Sequence, residues 1–218
     1  IYSNPDTTYY LSNLELNFCK KKKNINGEIS ANLLIGTSFY VKGDLTNAIK
    51  YFTICLELRN KIGDKRGAAG MYNNIALIYW KQGDLLKALD YNFKSLKIKV
   101  ALDDKEGMAD SYNNIGLIYK DQRDFKKALN YLFKSLDIEK LNKDGSGIAY
   151  SYLNISSTYK QLKEYKKAIN YLNEALEIEE KQNNKVSIAS IYSNMGNIYD
   201  EINEHGLANE FYLKAQKL

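Results

Sequence analysis

Apolar and small positions along this 218-residue chain return every forty residues. The fullest copy reads Tyr112-Asn113-Asn114-Ile115-Gly116-Leu117-Ile118-Tyr119, then Asp124-Phe125, Ala128-Leu129, Tyr131 and Leu136. Forty residues earlier stand Tyr72, Asn73, Asn74, Ile75, Ala76, Tyr79, Asp84, Ala88, Tyr91 and Leu96. Forty later stand Tyr152, Asn154, Ile155, Ser156, Tyr159, Glu164, Ala168, Tyr171 and Leu176. A fixed period of this size marks a repeat array, in which each unit buries its apolar face on its neighbours. Tyr112, Ile115, Gly116 and Tyr119 lie at i, i+3, i+4 and i+7, one face of a helix. Each repeat is therefore predicted to hold two helices, A and B.

Small residues locate where the two helices meet. Gly36, Ala76, Gly116, Ser156 and Gly196 on helix A, and Ala48, Ala88, Ala128, Ala168 and Ala208 on helix B, keep bulk out of a close crossing. Tyr51, Tyr91, Tyr131, Tyr171 and Phe211 follow, and are expected to fill the space between one helix pair and the next. Gly43 and Gly83 suit a C-terminal cap with φ > 0, and Asp44, Asp84 and Asp124 suit the following N-caps. Arg123, Lys163 and Asn203 replace the cap glycine, so tighter or more strained turns are expected there. Short polar turns, Gly63-Asp64-Lys65 and Asn142-Lys143-Asp144-Gly145, join the pairs.

Gly27, Gly67, Gly107, Gly147 and Ser187 mark five repeat starts, giving 27–66, 67–106, 107–146, 147–186 and 187–218 as one array. Residues 1–26 form a leading helix, the second half of an incomplete repeat, with Asn4 as N-cap and Pro5 in the first turn. Leu11, Leu14, Leu16 and Phe18 lie along it, with Thr8 at the small position. In the fifth repeat Asn209 and Gln216 replace apolar residues, as expected of a final or nearly final repeat facing water.

The alternation of aromatic, large apolar, small and aromatic on helix A, then Ala, Tyr or Phe, small and Leu on helix B, resembles the tetratricopeptide repeat. The match runs over about residues 27–218. The family's usual period is about 34 residues and its repeats end in a proline; here Asn60, Val100, Lys140 and Glu180 stand in that place, and the added length implies longer helices or longer turns. The resemblance implies an all-α, right-handed solenoid of stacked antiparallel helix pairs, with the helix-A face lining a concave groove. It also implies a non-catalytic scaffold that binds a protein or an extended peptide segment. Forty-residue versions with Tyr-Asn-Asn-Ile-Gly motifs look like the tandem repeats of bacterial sensor histidine kinases and related signalling scaffolds. The alternative is thus a sensory or regulatory module of a larger signalling protein. Cell-polarity scaffolds and bacterial peptide receptors carry similar repeats.

Composition changes this picture little. A hydrophobic fraction of 44% and a charged fraction of 26% suit a folded chain, and a formal charge of +5 is too mild to imply nucleic acid or membrane. Lys20 to Lys23 match a helix C-terminus rather than a binding patch. No run approaches the roughly 18 uninterrupted apolar residues of a membrane span, so no direct insertion is expected. Cys19 and Cys55 have no metal or redox spacing and leave the compartment open, with the cytoplasm favoured over an extracytoplasmic sensor portion. The chain starts without Met, as expected of a processed or excised piece of a longer protein.

No enzyme constellation is evident: no phosphate loop, no Cys/His cluster and no nucleophile elbow. Neither cofactor nor metal is expected. The single histidine, His205, is read as a packing or cap residue with Glu201 or Glu204 nearby. The stronger lead is the Asn series Asn74, Asn114, Asn154 and Asn194, joined by Asn73 and Asn113. A carboxamide both donates and accepts, so it can hold peptide backbone whatever the side chains. The same residues could instead bond neighbouring helices. Asp110, Tyr150, Trp80, Lys81, Lys120 and Lys160 share that face, with Trp80 either an exposed anchor or partly buried. Asp110 and Asp200 interrupt the basic strip that single-stranded RNA would need, so no nucleic acid is expected. Self-association through the terminal repeats fits the apolar Phe211, Leu213 and Leu218. The sequon Asn154-Ile155-Ser156 falls mid-helix, which argues against glycosylation.

Overall fold

The computed structural model describes residues 4–218, and these form eleven helices without a strand. Two compact units divide the chain between Asp104 and Lys105. The first holds α1 (Pro5–Lys22), α2 (Ile25–Val41), α3 (Leu45–Lys61), α4 (Lys65–Lys81) and α5 (Leu85–Ala101). The second holds α6 (Lys105–Asp121), α7 (Phe125–Asn142), α8 (Gly145–Gln161), α9 (Tyr165–Lys181), α10 (Lys185–Glu201) and α11 (His205–Gln216). In each unit consecutive helices pack on one another. The helix pairs are α2/α3 and α4/α5 in the first, with α1 against α2, and α6/α7, α8/α9 and α10/α11 in the second.

Two 17-residue helices and two three-residue turns account for the forty-residue period, as in α4 and α5. The turns are short, so the length added to the family's usual repeat lies in the helices. Helix starts follow the caps: Asp44, Asp84 and Asp124 accept the N–H of Asn47, Lys87 and Lys127 at 3.1 Å each. Asp144, Glu164 and Glu204 make no such bond. The glycines marking the repeats sit two residues inside helix A, not at its start. Gly67 N–H bonds the Asp64 carboxylate at 2.8 Å, and a Cβ there would collide with Arg59 and Asp64.

The predicted crossings are tight. Ala48, Ala88, Ala128 and Ala168 are 0% exposed. A Cβ on Gly116 would come 2.8 Å from Leu132 and 3.1 Å from the Ala128 carbonyl, so side-chain bulk is excluded from both helices. Hydroxyls reinforce the same pairs: Ser95 Oγ donates to the Ala69 carbonyl at 2.9 Å and Ser135 Oγ to Ala109 at 2.7 Å. Cys55 takes that place in the α2/α3 pair, fully buried with Sγ 3.4 Å from the Ile29 carbonyl. Burial pushes its thiol up to about 12, which keeps it protonated, and both cysteines are unpaired.

Some expectations need correcting. The helix-B aromatics stack chiefly within their own pair, not between pairs. Phe39/Tyr51, Tyr79/Tyr91, Tyr119/Tyr131, Tyr159/Tyr171 and Tyr199/Phe211 lie with ring centroids 5.3–5.6 Å apart, each joining the last turn of helix A to helix B. Twelve residues separate the partners every time, a spacing set by the A–B turn. Phe133 against Tyr171, at 6.1 Å, does bridge α7 and α9. Lys87, Lys127 and Lys167 each cover the stacked helix-A tyrosine at 5.0–5.2 Å while pairing with the residue before the helix.

The turns lacking glycine are not tighter. Arg123, Lys163 and Asn203 hold φ of 61°, 60° and 63°, the same left-handed step as Gly43 and Gly83 at 81° and 80°. The price is local strain of roughly 1–2 kcal/mol per residue. In α1 the buried side is Thr8, Ser12, Leu16 and Cys19, whereas Leu11, Leu14 and Phe18 are exposed. His205 pairs with neither Glu201 nor Glu204: its Nδ1 lies 2.7 Å from Asp200 Oδ1, out in solvent.

Among the described residues no helix is long and apolar enough to cross a membrane. The second unit's core runs through Leu132, Leu136, Tyr152, Ile155, Leu172, Ile191, Met195 and Ile198. The first has Phe52, Ile75 and Ile78 in one cluster and Leu16, Ala31 and Ile35 in another. These cores hold the A helices rigidly, which fixes the surface their polar residues present.

Candidate functional site

Three neighbouring recesses on the second unit share lining residues. The first, between α6, α7 and α8, includes Asp110, Asn113 and Tyr150. Tyr150 also lines the second, with Asn154, Ser157, Lys160 and Asn194. Ser157 and Lys160 continue into the third, with Tyr165 and Glu201. A strip of hydroxyl, carboxamide, carboxylate and ammonium groups therefore crosses the A helices α6, α8 and α10. Asp110, Tyr150 and Asn194 are exposed, whereas Asn154 and Lys160 are half-buried.

The strip is partly wired to itself. Asn154 Nδ2 donates to Asn113 Oδ1 at 2.8 Å, and Asn113 is 6% exposed. Lys160 Nζ pairs with Glu201 at 2.9 Å. Lys120 Nζ reaches Ser157 Oγ at 3.4 Å, and burial holds its ammonium below the usual lysine range. Asn114 is half-buried beside these groups in sequence but lines none of the three recesses.

The first unit carries the remaining candidates. Asn74 lines a small recess with Thr37, Tyr40 and Leu77. Lys81 Nζ lies 4.7 Å over the Tyr40 ring, so Tyr40 links two of the predicted residues. Asn73 is half-buried, and its Oδ1 lies buried without a hydrogen-bond partner. Trp80 is half-buried rather than exposed, so its indole is shared between packing and surface.

Several lining residues escaped the sequence reading. Ser157 occupies a column that reads Thr37, Leu77, Leu117 and Asn197 elsewhere, and its polarity was the available signal. Glu139 was harder to see. Its column reads Cys19 in the leading helix, then Arg59, Lys99 and Glu179, charged in each complete copy, yet Lys99, Glu139 and Glu179 are all buried. A charge recurring at a buried helix position needs a partner or a purpose.

No curated protein sequence matches the chain. Solved structures do, by fold. BtubC (BKLC) from P. vanneervenii is 17% identical with a TM-score of 0.85, over 99% of this chain and 91% of that one. A Rap protein complexed with competence and sporulation factor is 20% identical with a TM-score of 0.76, over 93% of this chain and 57% of that one. A signal transduction ATPase of the STAND class with a tetratricopeptide repeat sensor, from Pyrococcus horikoshii, is 17% identical with a TM-score of 0.78, over 99% of this chain and 37% of that one. The tetratricopeptide repeat model itself matches residues 28–99, 67–140 and 147–218, and with the helix pairs and crossings above, the chain belongs to the tetratricopeptide repeat family.

Proposed function

We propose that this chain is a non-catalytic scaffold that binds a protein or extended peptide segment on its A-helix face, the concave side in the repeat family. The observation that carries this is the strip from Asp110 to Asn194, where three recesses share Tyr150, Ser157 and Lys160. Carboxamides and hydroxyls at that spacing can pair with both peptide N–H and C=O groups, and the rigid cores behind them keep the ordering cost of binding low. The fold-level likeness to a Rap protein complexed with competence and sporulation factor supports the same reading.

Site-specific photo-crosslinking tests it. A benzophenone amino acid at Ser157, on the strip, should capture a segment from a cell extract that peptide mapping can then identify. The same group at Asn173, exposed on α9, should capture far less. Equal capture at both places, or capture only at Asn173, would overturn the assignment of the face.

A second reading has its own support. The similarity to a STAND protein's tetratricopeptide repeat sensor suits a sensory module, in which the bound segment is a signal passed to an attached effector. Both readings use the same face, and they differ in what is joined to the array.

A further inference from the structure

One end of the strip is unlike the rest. Its recess between α6, α7 and α8, about 130 Å³, is walled by four carboxyl groups: Glu106, Asp110, Glu139 and Asp144. None of its lining residues is basic. Carboxylates alone would be a solvated acidic patch, but Glu139 is not solvated. It is 8% exposed; Oε1 accepts from Ser135 Oγ at 3.0 Å, and Oε2 is buried without a hydrogen-bond partner. An unpaired buried carboxylate oxygen is costly to keep.

The repeat supplies an internal control. In the first copy the same column holds Arg59, which pairs with Asp64 at the start of the next helix A. There a cation meets an anion across the inter-repeat turn. Forty residues on from Asp64 and twice over stands Asp144, but the column there holds Glu139. Like charges now face each other across the same turn, where the first copy sets a cation against an anion. Burial first, and then the charges of Asp144 and Asp110, hold the Glu139 carboxyl above its usual range, while the hydrogen bond from the Ser135 hydroxyl offsets part of that rise.

We propose that this recess receives the guanidinium or ammonium head of an arginine or lysine in the segment bound along the strip, a specificity that rests on the groove reading above. The recess has room for about four waters by volume, which suits a charged head rather than a ring system. Among the described residues no group of acidic, His or Cys side chains is arranged to hold a metal ion, so an organic cation fits better. Tyr150 lines both this recess and its neighbour, so a side chain entering here can leave its backbone lying toward Asn154 and Ser157.

Random heptapeptides displayed on phage, selected on the intact chain, test the proposal. Selected peptides should carry Arg or Lys at one position, and replacing that arginine by citrulline should weaken binding at least tenfold. Asp110→Asn and Glu139→Gln should each abolish the preference; Asp110 is exposed, so its variant stands even if the Glu139 variant folds poorly. Arginine amide alone should bind at least tenfold more weakly than the peptide; equal binding would make this a free-cation site and overturn the segment assignment. Peptides that lie on the strip without a basic preference, or whose preference survives in both variants, would overturn the recess and leave the groove standing. If no selected peptide contacts the A-helix face, both readings fall.

Discussion

Asn154 and Asn113 belong to adjacent A helices, and the 2.8 Å bond between their carboxamides ties α8 to α6. Part of the Asn series thus serves packing, which leaves its members unequal. Asn154→Ala would strand the Asn113 carbonyl oxygen in a largely buried place and should cost about 1–3 kcal/mol of stability. Asn114, half-buried and outside the three recesses, should be replaceable by Ala with unchanged stability. The double variant should lose more than about 1 kcal/mol in affinity for a segment bound on this face, through lost direct hydrogen bonds. Denaturant unfolding and titration with a captured segment separate the two effects; unchanged affinity in the double variant would remove the ladder from the binding surface.

Ala128 is fully buried where α7 crosses α6, under Gly116. Ala128→Leu has nowhere to put its added bulk and should destabilise by roughly 1–3 kcal/mol. Thermal unfolding checks it. No loss would mean that the crossing is looser than Gly116 and Leu132 imply.

Glu139 makes stability depend on pH in a definite direction. Its folded carboxyl holds its proton more tightly than an ordinary carboxyl, chiefly through burial. The stability it contributes is complete below the unfolded value of about 4.3 and is lost as pH rises through the higher folded value. Glu139→Gln, which cannot ionise, should therefore have a higher Tm than the parent at pH 8, with the difference shrinking away below about pH 4. A parent chain that is the more stable at pH 8 would show the carboxylate to be paired after all.

The fold was legible because its determinants are local and recur. Gly116 and Ala128, Asp124, and the Tyr119/Tyr131 spacing each appear in several copies, so single departures could not hide them. The proposed binding strip drew on only some of the residues singled out in the sequence. Asp110, Asn113, Tyr150, Asn154, Lys160 and Asn194 line recesses that share residues with one another. Trp80 and Lys81 could not be placed from spacing, because burial of a long side chain depends on its rotamer and on its neighbour Tyr40. Glu139 was missed for a different reason. Helix B was read for its apolar positions, and a buried charge is recognised only once the carboxyl facing it across the turn is known.

The left-handed turns offer a direct measurement of strain. Arg123 and Lys163 hold φ near 60° where Gly43 and Gly83 stand in earlier copies. Arg123→Gly removes a Cβ that clashes in that conformation, and against this the unfolded chain gains entropy. The first effect, about 1–2 kcal/mol, should exceed the second, about 0.4–1 kcal/mol. A net gain in stability is expected, seen as a higher denaturation midpoint. A lower midpoint would mean that the arginine side chain contributes more than its backbone costs.

Helix α11 should be the least protected element of the second unit. Glu204, at its N-cap position, makes no side-chain capping bond, and the helix spans 12 residues where α7 spans 18. Ala208 is its one buried residue, whereas α7 buries Ala128, Leu132, Ser135, Leu136 and Glu139. Leu207, Leu213 and Leu218 are 41%, 54% and 47% exposed, so little apolar burial opposes fraying. What holds α11 is the Tyr199/Phe211 stack and the Tyr212 hydroxyl donating to Asn197 at 2.9 Å, both onto α10 alone. Opening it exposes one helix face rather than two, at a small fraction of the cost of opening α7. Amides from His205 to Leu218 should accordingly exchange with solvent well before those from Asp124 to Leu141. Phe211→Ala, which removes the stack, should speed exchange in α11 further and leave α7 unchanged. Equal protection of the two helices in a monomer would show that the exposed leucines are covered in solution.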